Sequence, residues 1–241
     1  MKNAFTVTRN METNSVYGWG TSGKDIDTHL MKNSEWGAVA YLSRSSYGQT
    51  TEIWINPADN YTTGCAGDSV SSPQTTGCLR AYNTTNGVKA STTGNIYGIY
   101  DMSGGAYERT MSNYNNKGAS SGWTDAQVAA IDSKYIDRYY TDPTQMLGGT
   151  GFNYDISIYG DAMYETSANA ARYNGTSWEG TTNASWNSDL SYTPYVNNPW
   201  FLRGGDFGYA MSAGAFAFYG AGGGTNSSYG FRPVVVIGTG L

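Results

Sequence analysis

The sequence is poor in charge, and it contains no long apolar run. Asp, Glu, Lys and Arg make up 14% of the 241 residues, and Lys and Arg together number only 14. The formal net charge is -5 and no basic residues cluster, so the chain lacks the positive surface that nucleic acids and anionic membranes attract. No apolar run approaches the ~18 residues that span a bilayer. We therefore expect no nucleic-acid partner and no membrane insertion.

Cysteine and histidine are also scarce, which restricts the chemistry available. Cys65 and Cys78 enclose a polar loop, and the sequence leaves open whether they form a disulfide or stay reduced. His29 is the single histidine, and we expect a surface or hydrogen-bonded helix residue rather than a catalytic one. Residues 118–122 match the hydrolase pattern G-x-S-x-G by letters only, since no buried strand precedes them and His29 lies upstream.

Glycine and aromatic residues, by contrast, are abundant. The chain has 32 Gly, 21 Tyr and 7 Trp, which makes it too aromatic to be disordered and too poor in charge to be mostly helical. From composition we predict one compact, loop-rich, β-containing domain over residues 1–241, and the helix signals described below make its class α+β. Its abrupt start leads us to expect the C-terminal part of a longer protein. The G-x-G-x-x-G match at 18–23 lacks a preceding buried strand, so a plain loop is expected there.

Capping residues and apolar spacing predict the helices. A helix capped by Asp25 or Asp27 is expected to run to Met31, and another, capped at position 33 or 34, to run towards Gly48. Ile26, Leu30, Val39 and Leu42 would form their core-facing stripe. The capping box that begins at Thr124 predicts a third helix with Val128, Ile131, Tyr135 and Ile136 facing inward. Asp161 predicts a short fourth helix through residue 168.

Extended segments are predicted from β-branched and aromatic runs. They comprise residues 5–17, a short strand at 51–56, a strand, tight turn and strand over 95–109, and a strand at 234–237 buried on both faces. Glu108 lies among aromatic residues, where it is either paired with an arginine or a cation ligand; we favour the pair. Trp178, Trp186 and Trp200 are expected to be packing anchors.

The most unusual stretch lies between two motifs that we call the framing motifs, Arg-Gly-Gly at 203–205 and Gly-Phe-Arg-Pro at 230–233. A charged fraction of 14% would place about three charged residues in the 24 positions of 206–229, yet Asp206 is the only one. Tyr, Phe, Ser, Asn and Gly fill the rest, a composition typical of a paratope. A glycine-rich loop between two core strands has the same composition, and residues alone leave both interpretations open.

Four motifs occur in an order that resembles a known fold family. They are Trp36 with the helix around it, Tyr-Gly-Ile-Tyr-Asp-Met-Ser-Gly-Gly-Ala-Tyr-Glu at 97–108, and the two framing motifs. Together they resemble the formylglycine-generating (sulfatase-modifying factor) branch of the C-type-lectin fold over most of residues 25–237. Enzymes of that branch carry a cysteine pair between the two framing motifs, whereas this chain has none there. Without a thiolate, we expect no enzyme.

Among non-enzymatic relatives, the chain resembles the variable proteins of diversity-generating retroelements. In that family adenine-directed mutation scatters Asn codons into NNY codons, which cannot encode Met, so Met211 would be an invariant scaffold position. Residues 214–216 and Phe218 are also expected to be scaffold, pointing inward. The resemblance implies that the exposed, ligand-binding positions are Asp206, Phe207, Tyr209, Ala210, Ser212, Ala217, Tyr219, Ala221, Gly224, Asn226, Ser227, Ser228 and Tyr229.

The implied function is ligand binding through a diversified surface, with Arg203 and Arg232 paired internally and no cofactor. The expected partner is a protein or glycan on a cell surface, and the expected location is a phage tail or a bacterial surface. Three alternatives stay open: a calcium-dependent lectin with Glu108 and Asp101 as ligands, a formylglycine-type enzyme, and a structural virion or surface domain whose 206–229 segment is buried between subunits.

Overall fold

The computed structural model describes residues 1–19, 26–68, 73–74, 77–140, 160–167 and 169–238. These ranges form a mixed α+β structure in which short helices and strands are joined by long irregular connections. The helices are α1 (Lys2–Asn10), α2 (Asn33–Arg44) and α3 (Asp125–Ala129). The strands are β1 (Ile26–Leu30), β2 (Tyr107–Tyr114), β3 (Asp137–Tyr139), β4 (Arg172–Tyr173), β5 (Trp178–Glu179), β6 (Trp200–Gly204), β7 (Gly214–Ala221), β8 (Tyr229–Phe231) and β9 (Pro233–Ile237).

The central sheet has the order β3-β2-β6-β7. β6 lies antiparallel to both β2 and β7, while β3 and β8 pair in parallel with opposite ends of β2. β6 is buried throughout and β2 and β7 almost throughout, so these strands form the middle of the core. Residues 206–229 therefore leave the end of β6, return as β7 and finish beside β2.

A second, two-stranded sheet joins β1 to β9 in antiparallel register, with Thr28 opposite Val235. The helix predicted at 26–31 is wrong, because β1 gains its backbone hydrogen bonds from β9. The prediction that 234–237 is buried on both faces is also wrong, since most of β9 is exposed and Ile237 is 78% exposed. His29 lies on β1 rather than on a helix, where it is buried and 2.8 Å from Glu35.

The N-terminal region folds as α1 instead of the extended segment expected at 5–17. The Thr8 hydroxyl donates to the carbonyl oxygens of Ala4 and Phe5, which absorbs a side chain that disfavours helices. Ala4 and Phe5 pack on a core cluster that includes Leu30. This apolar packing, made with residues remote in sequence, outweighs the weak helix propensity of Thr6 to Thr8.

The helix predicted to follow residue 33 or 34 is confirmed as α2, although its N-cap is Lys32. The helix predicted after Thr124 is confirmed only at its start. α3 ends at Ala129, and Tyr135 and Ile136, which were expected on its inward face, lie in and just after a separate 3-10 turn. In α2, Glu35 accepts from the backbone N–H of Lys32 at the N-terminus, and Trp36 is fully buried. Leu42, expected in the core, is exposed instead. In α3, the Thr124 hydroxyl accepts from the backbone N–H of Gln127, whose side chain returns the bond, so the predicted capping box is present.

Three predicted elements are replaced wholly or in part by irregular chain and turns. Residues 51–56 form one isolated bridge, between Asn56 and Gly104, and no strand. Only the second half of the hairpin predicted at 95–109 exists, as β2; Tyr97 in its first half is highly exposed. Asp161 accepts from the backbone N–H of Met163 in a local turn, and no helix follows within 161–167; residue 168 lies outside the described residues. The 18–23 match also lies largely outside them.

Cys65 and Cys78 form a disulfide, which decides the alternative that the sequence left open. Trp200 is buried as expected, whereas Trp178 and Trp186 are partly exposed. No helix in the described ranges is long and apolar enough to cross a bilayer.

Candidate binding surface formed by residues 206–229

Both ends of the 206–229 segment are fixed by the same buried residue, Trp36. The guanidinium carbons of Arg203 and Arg232 lie 5.8 and 5.7 Å from the centre of its ring. Gly204, with φ of 84°, approaches the same ring so closely that an added Cβ would lie 3.3 Å from it. The four motifs that carry the family resemblance thus meet in one place, and the glycine conformation is what permits that close approach.

Arg203 holds this region together from inside the core. Its side chain is fully buried, and its guanidinium donates to the Asn33 side chain at 2.9 Å and to the carbonyl oxygens of Asp161 and Ala162 at 3.0 and 3.2 Å. The Trp36 indole N–H donates to the carbonyl oxygen of Ala215 at 2.7 Å. The start of the segment is therefore tied to α2 and to β7.

Arg232 closes the other end. Its guanidinium donates to the Glu108 carboxylate at 3.0 Å and to the carbonyl oxygen of Asp101 at 2.8 Å, which confirms the predicted arginine pair of Glu108. Burial raises the pKa of Glu108, and the charge of Arg232 offsets part of that rise. Glu108 lies opposite Gly230 in the pairing of β2 with β8, so the pair is next to the last residue of the segment.

Between these ends the chain forms a short 3-10 helix, Phe207–Ser212, then β7, and then a loop that leads to β8. Asp206 caps the 3-10 helix by accepting from the backbone N–H of Gly208 at 3.0 Å. Arg109 holds the loop by donating to the carbonyl oxygens of Gly223 and Gly224. Even the irregular parts of the segment are therefore anchored to β2 or to their own caps.

Three tyrosines of the segment converge on one buried residue of β2. The rings of Tyr209, Tyr219 and Tyr229 lie 5.6, 6.0 and 5.8 Å from the ring of Tyr107. Tyr107 is 4% exposed, whereas Tyr209 is 38% exposed and the other two are partly exposed. We call these four residues the tyrosine cluster. It presents aromatic surface to solvent on a buried aromatic base.

The cluster continues into an open groove. Tyr219 lies 5.3 Å from Tyr192, which lies 4.9 Å from Trp178 on β5. The groove has a volume of 470 Å³, within the ~300–1,000 Å³ typical of ligand pockets. We call it the aromatic groove, and its lining residues are Trp178, Thr182, Asn183, Leu190, Tyr192, Tyr209, Ser212 and Tyr219.

Most of the predicted binding positions lie at the surface, and two do not. The exposed or partly exposed ones are Asp206, Phe207, Tyr209, Ala210, Ser212, Tyr219, Gly224, Asn226, Ser227, Ser228 and Tyr229. Ala217 and Ala221, however, are buried in a cluster with Tyr107 and Leu202, so the prediction of their exposure is wrong. They lie on β7, where the side chains of Tyr107, Leu190 and Leu202 pack against them.

The scaffold positions predicted inside the segment are mostly confirmed. Ala215, Phe216 and Phe218 are buried, and Gly214 is buried beside the carboxylate of Asp189, where an added Cβ would lie 1.9 Å from Oδ2. Met211 differs, because its side chain is 57% exposed. Its place on the outer side of the 3-10 helix means that core packing does not fix its identity.

The carboxylates considered as calcium ligands are engaged within the protein. Glu108 is paired with Arg232, and Asp101 accepts from the Asn56 side chain at 2.7 Å and from the backbone N–H of Gly64 at 3.1 Å. Across the described ranges, no group of three His, Cys, Asp or Glu residues is arranged to hold a metal ion.

Sequence reasoning missed the residues outside the segment that complete the surface, chiefly Tyr107, Trp178 and Tyr192. Tyr107 belongs to the motif at 97–108, but β2 is buried at nearly every position, so its burial pattern does not single out Tyr107 as facing the segment. Trp178 was expected only as a packing anchor, and Tyr192 lies in a polar stretch without periodicity, so nothing in the sequence assigned either residue to the surface. The chain matches no protein-family model and no curated protein. What this surface does must therefore be inferred from its geometry and composition.

Proposed function

We propose that this protein is a non-enzymatic binder that contacts its ligand through residues 206–229. The observation that carries the proposal is the convergence of Tyr209, Tyr219 and Tyr229 on the buried ring of Tyr107. Tyrosines offer large, stiff contact area together with a polar tip, which suits them to recognition. A surface that is already ordered before contact loses little conformational entropy on binding.

The same geometry supports a C-type-lectin-like fold of the retroelement-diversified kind. In that scheme the framing motifs and Trp36 supply the constant part, and the exposed positions of 206–229 supply the part that changes. Phe216, Ala217 and Phe218 are buried together on β7, whereas Tyr209 before them and Tyr219 after them reach the surface. Substitution at the surface would therefore leave the core intact. No cysteine lies between residues 203 and 233, which supports a role in binding rather than thiolate chemistry.

The partner we propose is a protein or glycan on a cell surface, with the binder carried on a phage tail or a bacterial surface. A chain with net charge -5 and few basic residues has little attraction for nucleic acids. The exposed residues spread over the tyrosine cluster, the loop at 222–228 and the aromatic groove. That breadth suits a macromolecule better than a small metabolite.

The test compares binding of labelled protein to bacterial cells isolated from the same source as the gene. The variant Tyr209→Asp with Tyr219→Asp places two carboxylates on the tyrosine cluster, and it should lose cell binding while its melting transition stays cooperative. The matched control is Tyr47→Asp with Tyr97→Asp, because both residues are highly exposed and neither lines the aromatic groove. Equal binding by all three proteins would contradict the proposal.

A further inference from the structure

We infer that the aromatic groove binds a neutral pyranose ring of a cell-surface oligosaccharide without the aid of calcium. This inference rests on the proposed function and narrows its ligand to a carbohydrate. It also extends the site beyond residues 206–229, since Trp178, Asn183 and Tyr192 come from a different part of the chain.

The first argument is that the groove contains aromatic rings that are held in place and partly exposed to solvent. Trp178 is 42% exposed, and it is held nearly perpendicular to Tyr192 and Tyr195, at 4.9 and 5.5 Å. Tyr209 and Tyr219 stand on Tyr107 at the other side of the groove. A pyranose ring has apolar C–H faces, and rings that are held in place can cover those faces without first being ordered.

The second argument is a set of polar groups already arranged between the rings. The Asn183 amide donates to the Ser212 hydroxyl at 2.7 Å and to the carbonyl oxygen of Ser188 at 3.0 Å. The Thr182 hydroxyl donates to the Asn183 side-chain oxygen at 3.0 Å. Because Ser212 accepts from Asn183, its own proton is directed away from the amide and is available to a ligand oxygen. Hydroxyls and an amide are the groups that pair with sugar hydroxyls.

The third argument concerns charge. Every residue that lines the groove is uncharged, so an acidic sugar or a charged peptide side chain would be taken out of water without a partner. A neutral sugar brings hydroxyls alone. Its hydroxyls can exchange water for the Ser212 hydroxyl and for the side-chain oxygens of Thr182 and Asn183, each of which can accept a further hydrogen bond, with little loss.

The fourth argument disfavours an extended peptide. A peptide usually adds to a sheet through the free edge of an outer strand, and β7 is the outer strand here. Its edge is already covered, because Phe218 exchanges backbone hydrogen bonds with Leu190 and Tyr192 at 2.9 and 3.0 Å. The groove therefore offers side chains to a ligand rather than a backbone edge.

The first arm of the test uses the same bacterial cells as above, and each binding measurement is made with and without EDTA. Cells are treated either with periodate, which cleaves the vicinal diols of sugars, or with proteinase K. We expect periodate to abolish binding and proteinase K to leave it unchanged. Loss of binding after proteinase K alone would identify a protein ligand and overturn the inference, as would loss caused by EDTA alone.

The second arm titrates the intact protein with neutral trisaccharides of glucose, galactose, mannose and N-acetylglucosamine, monitored by saturation-transfer NMR. At least one should bind saturably. Trp178→Ala should weaken that binding about tenfold or more, about 1.4 kcal/mol, and Trp178→Phe should restore part of it. The control Tyr97→Ala should bind as the wild type does.

The two proposals fail in different ways. If no trisaccharide binds, or if Trp178→Ala binds as well as the wild type, the carbohydrate inference is overturned. Loss of cell binding by Tyr209→Asp with Tyr219→Asp would still support the proposed function in that case. If that double variant binds cells normally, the proposed function itself is contradicted.

Discussion

The ring of Tyr209 stands edge-on to the ring of Tyr107, with 5.6 Å between their centres and 71° between their planes. One partner is buried in the central sheet and the other is open to solvent. The contact therefore joins the core of the protein to its proposed binding surface. Tyr219 and Tyr229 reach the same buried ring, so a single residue of β2 supports three positions of the 206–229 segment.

Two substitutions at Tyr107 should distinguish the contribution of its ring to stability from the contribution of its hydroxyl. Tyr107→Ala should destabilise folding by about 3–5 kcal/mol, because it leaves a large cavity under three rings. Tyr107→Phe should cost at most about 1.5 kcal/mol, because it removes only the hydroxyl and keeps the ring that the three tyrosines contact. Urea unfolding followed by tyrosine and tryptophan fluorescence measures both. A large loss in Tyr107→Phe would contradict this account of the cluster.

Arg203 should be among the residues least tolerant of change. Arg203→Met removes the donors to Asn33 and to two carbonyl oxygens in a fully buried site, and we expect a loss of about 3–5 kcal/mol. The control is Arg80→Met, since Arg80 is partly exposed and lies over the ring of Trp54 at 5.6 Å. Arg80→Met should cost less than about 1 kcal/mol. The midpoints of denaturant unfolding measure both losses, and equal midpoints for Arg203→Met and Arg80→Met would contradict the prediction.

Asp189 should make stability decrease as the pH rises. Its carboxyl is buried, accepts from the backbone N–H of Phe216 at 3.0 Å, and leaves its second oxygen without a hydrogen bond among the described residues. Burial raises the pKa of Asp189 well above its usual value. At a pH between the pKa of Asp189 in the unfolded state and its higher pKa in the folded state, the carboxyl is protonated only in the folded protein. Stability should therefore fall by about 1.4 kcal/mol per pH unit across that window.

Asp189→Asn should remove this slope, so that its stability relative to the wild type improves as the pH rises above about 4. Asp125→Asn should change the pH dependence of stability in the opposite direction. The backbone N–H of Gly118 and the ammonium of Lys117 lower the pKa of Asp125, so its contribution is lost as the pH falls through that lowered value. Thermal unfolding of both variants over a range of pH measures the two trends. Parallel curves for Asp189→Asn and the wild type would contradict the assignment.

Exposure should decide which positions of the segment accept large residues. Ala217→Tyr should destabilise folding by about 1–3 kcal/mol or more, because Ala217 is fully buried on β7. Ser227→Tyr should change stability by less than about 0.5 kcal/mol, since Ser227 lies in the exposed loop. Melting temperatures of the two variants provide the comparison. Equal tolerance at both positions would show that β7 is not packed as described.

The sequence predicted elements whose signals are local. The capping box at Thr124 consists of residues three apart, and it forms α3 as expected. The Glu108–Arg232 pair was predictable in kind, because a carboxylate among aromatic residues needs a partner. Composition predicted a loop-rich, β-containing domain, and the local capping signals added the helices of the mixed α+β class.

Elements that depend on distant partners were not predictable. β1 is a strand because β9 pairs with it about 200 positions later in the chain, and α1 is a helix because its apolar side packs on that region. Ala217 and Ala221 were expected at the surface, since a single sequence does not show which distant side chains pack against β7. Trp178 entered the site only through the fold, which brings β5 beside the tyrosine cluster.

The measurement that tests the central claim most directly is sequencing of this gene and its flanking DNA from sibling strains. The account predicts an adenine-rich near-copy of codons 203–233 beside the gene. It also predicts differences between siblings at exposed positions such as Tyr209, Tyr219 and Asn226, with Ala217, Phe216 and Phe218 unchanged. Siblings that are identical across 206–229, or that differ equally at buried and exposed positions, would contradict it.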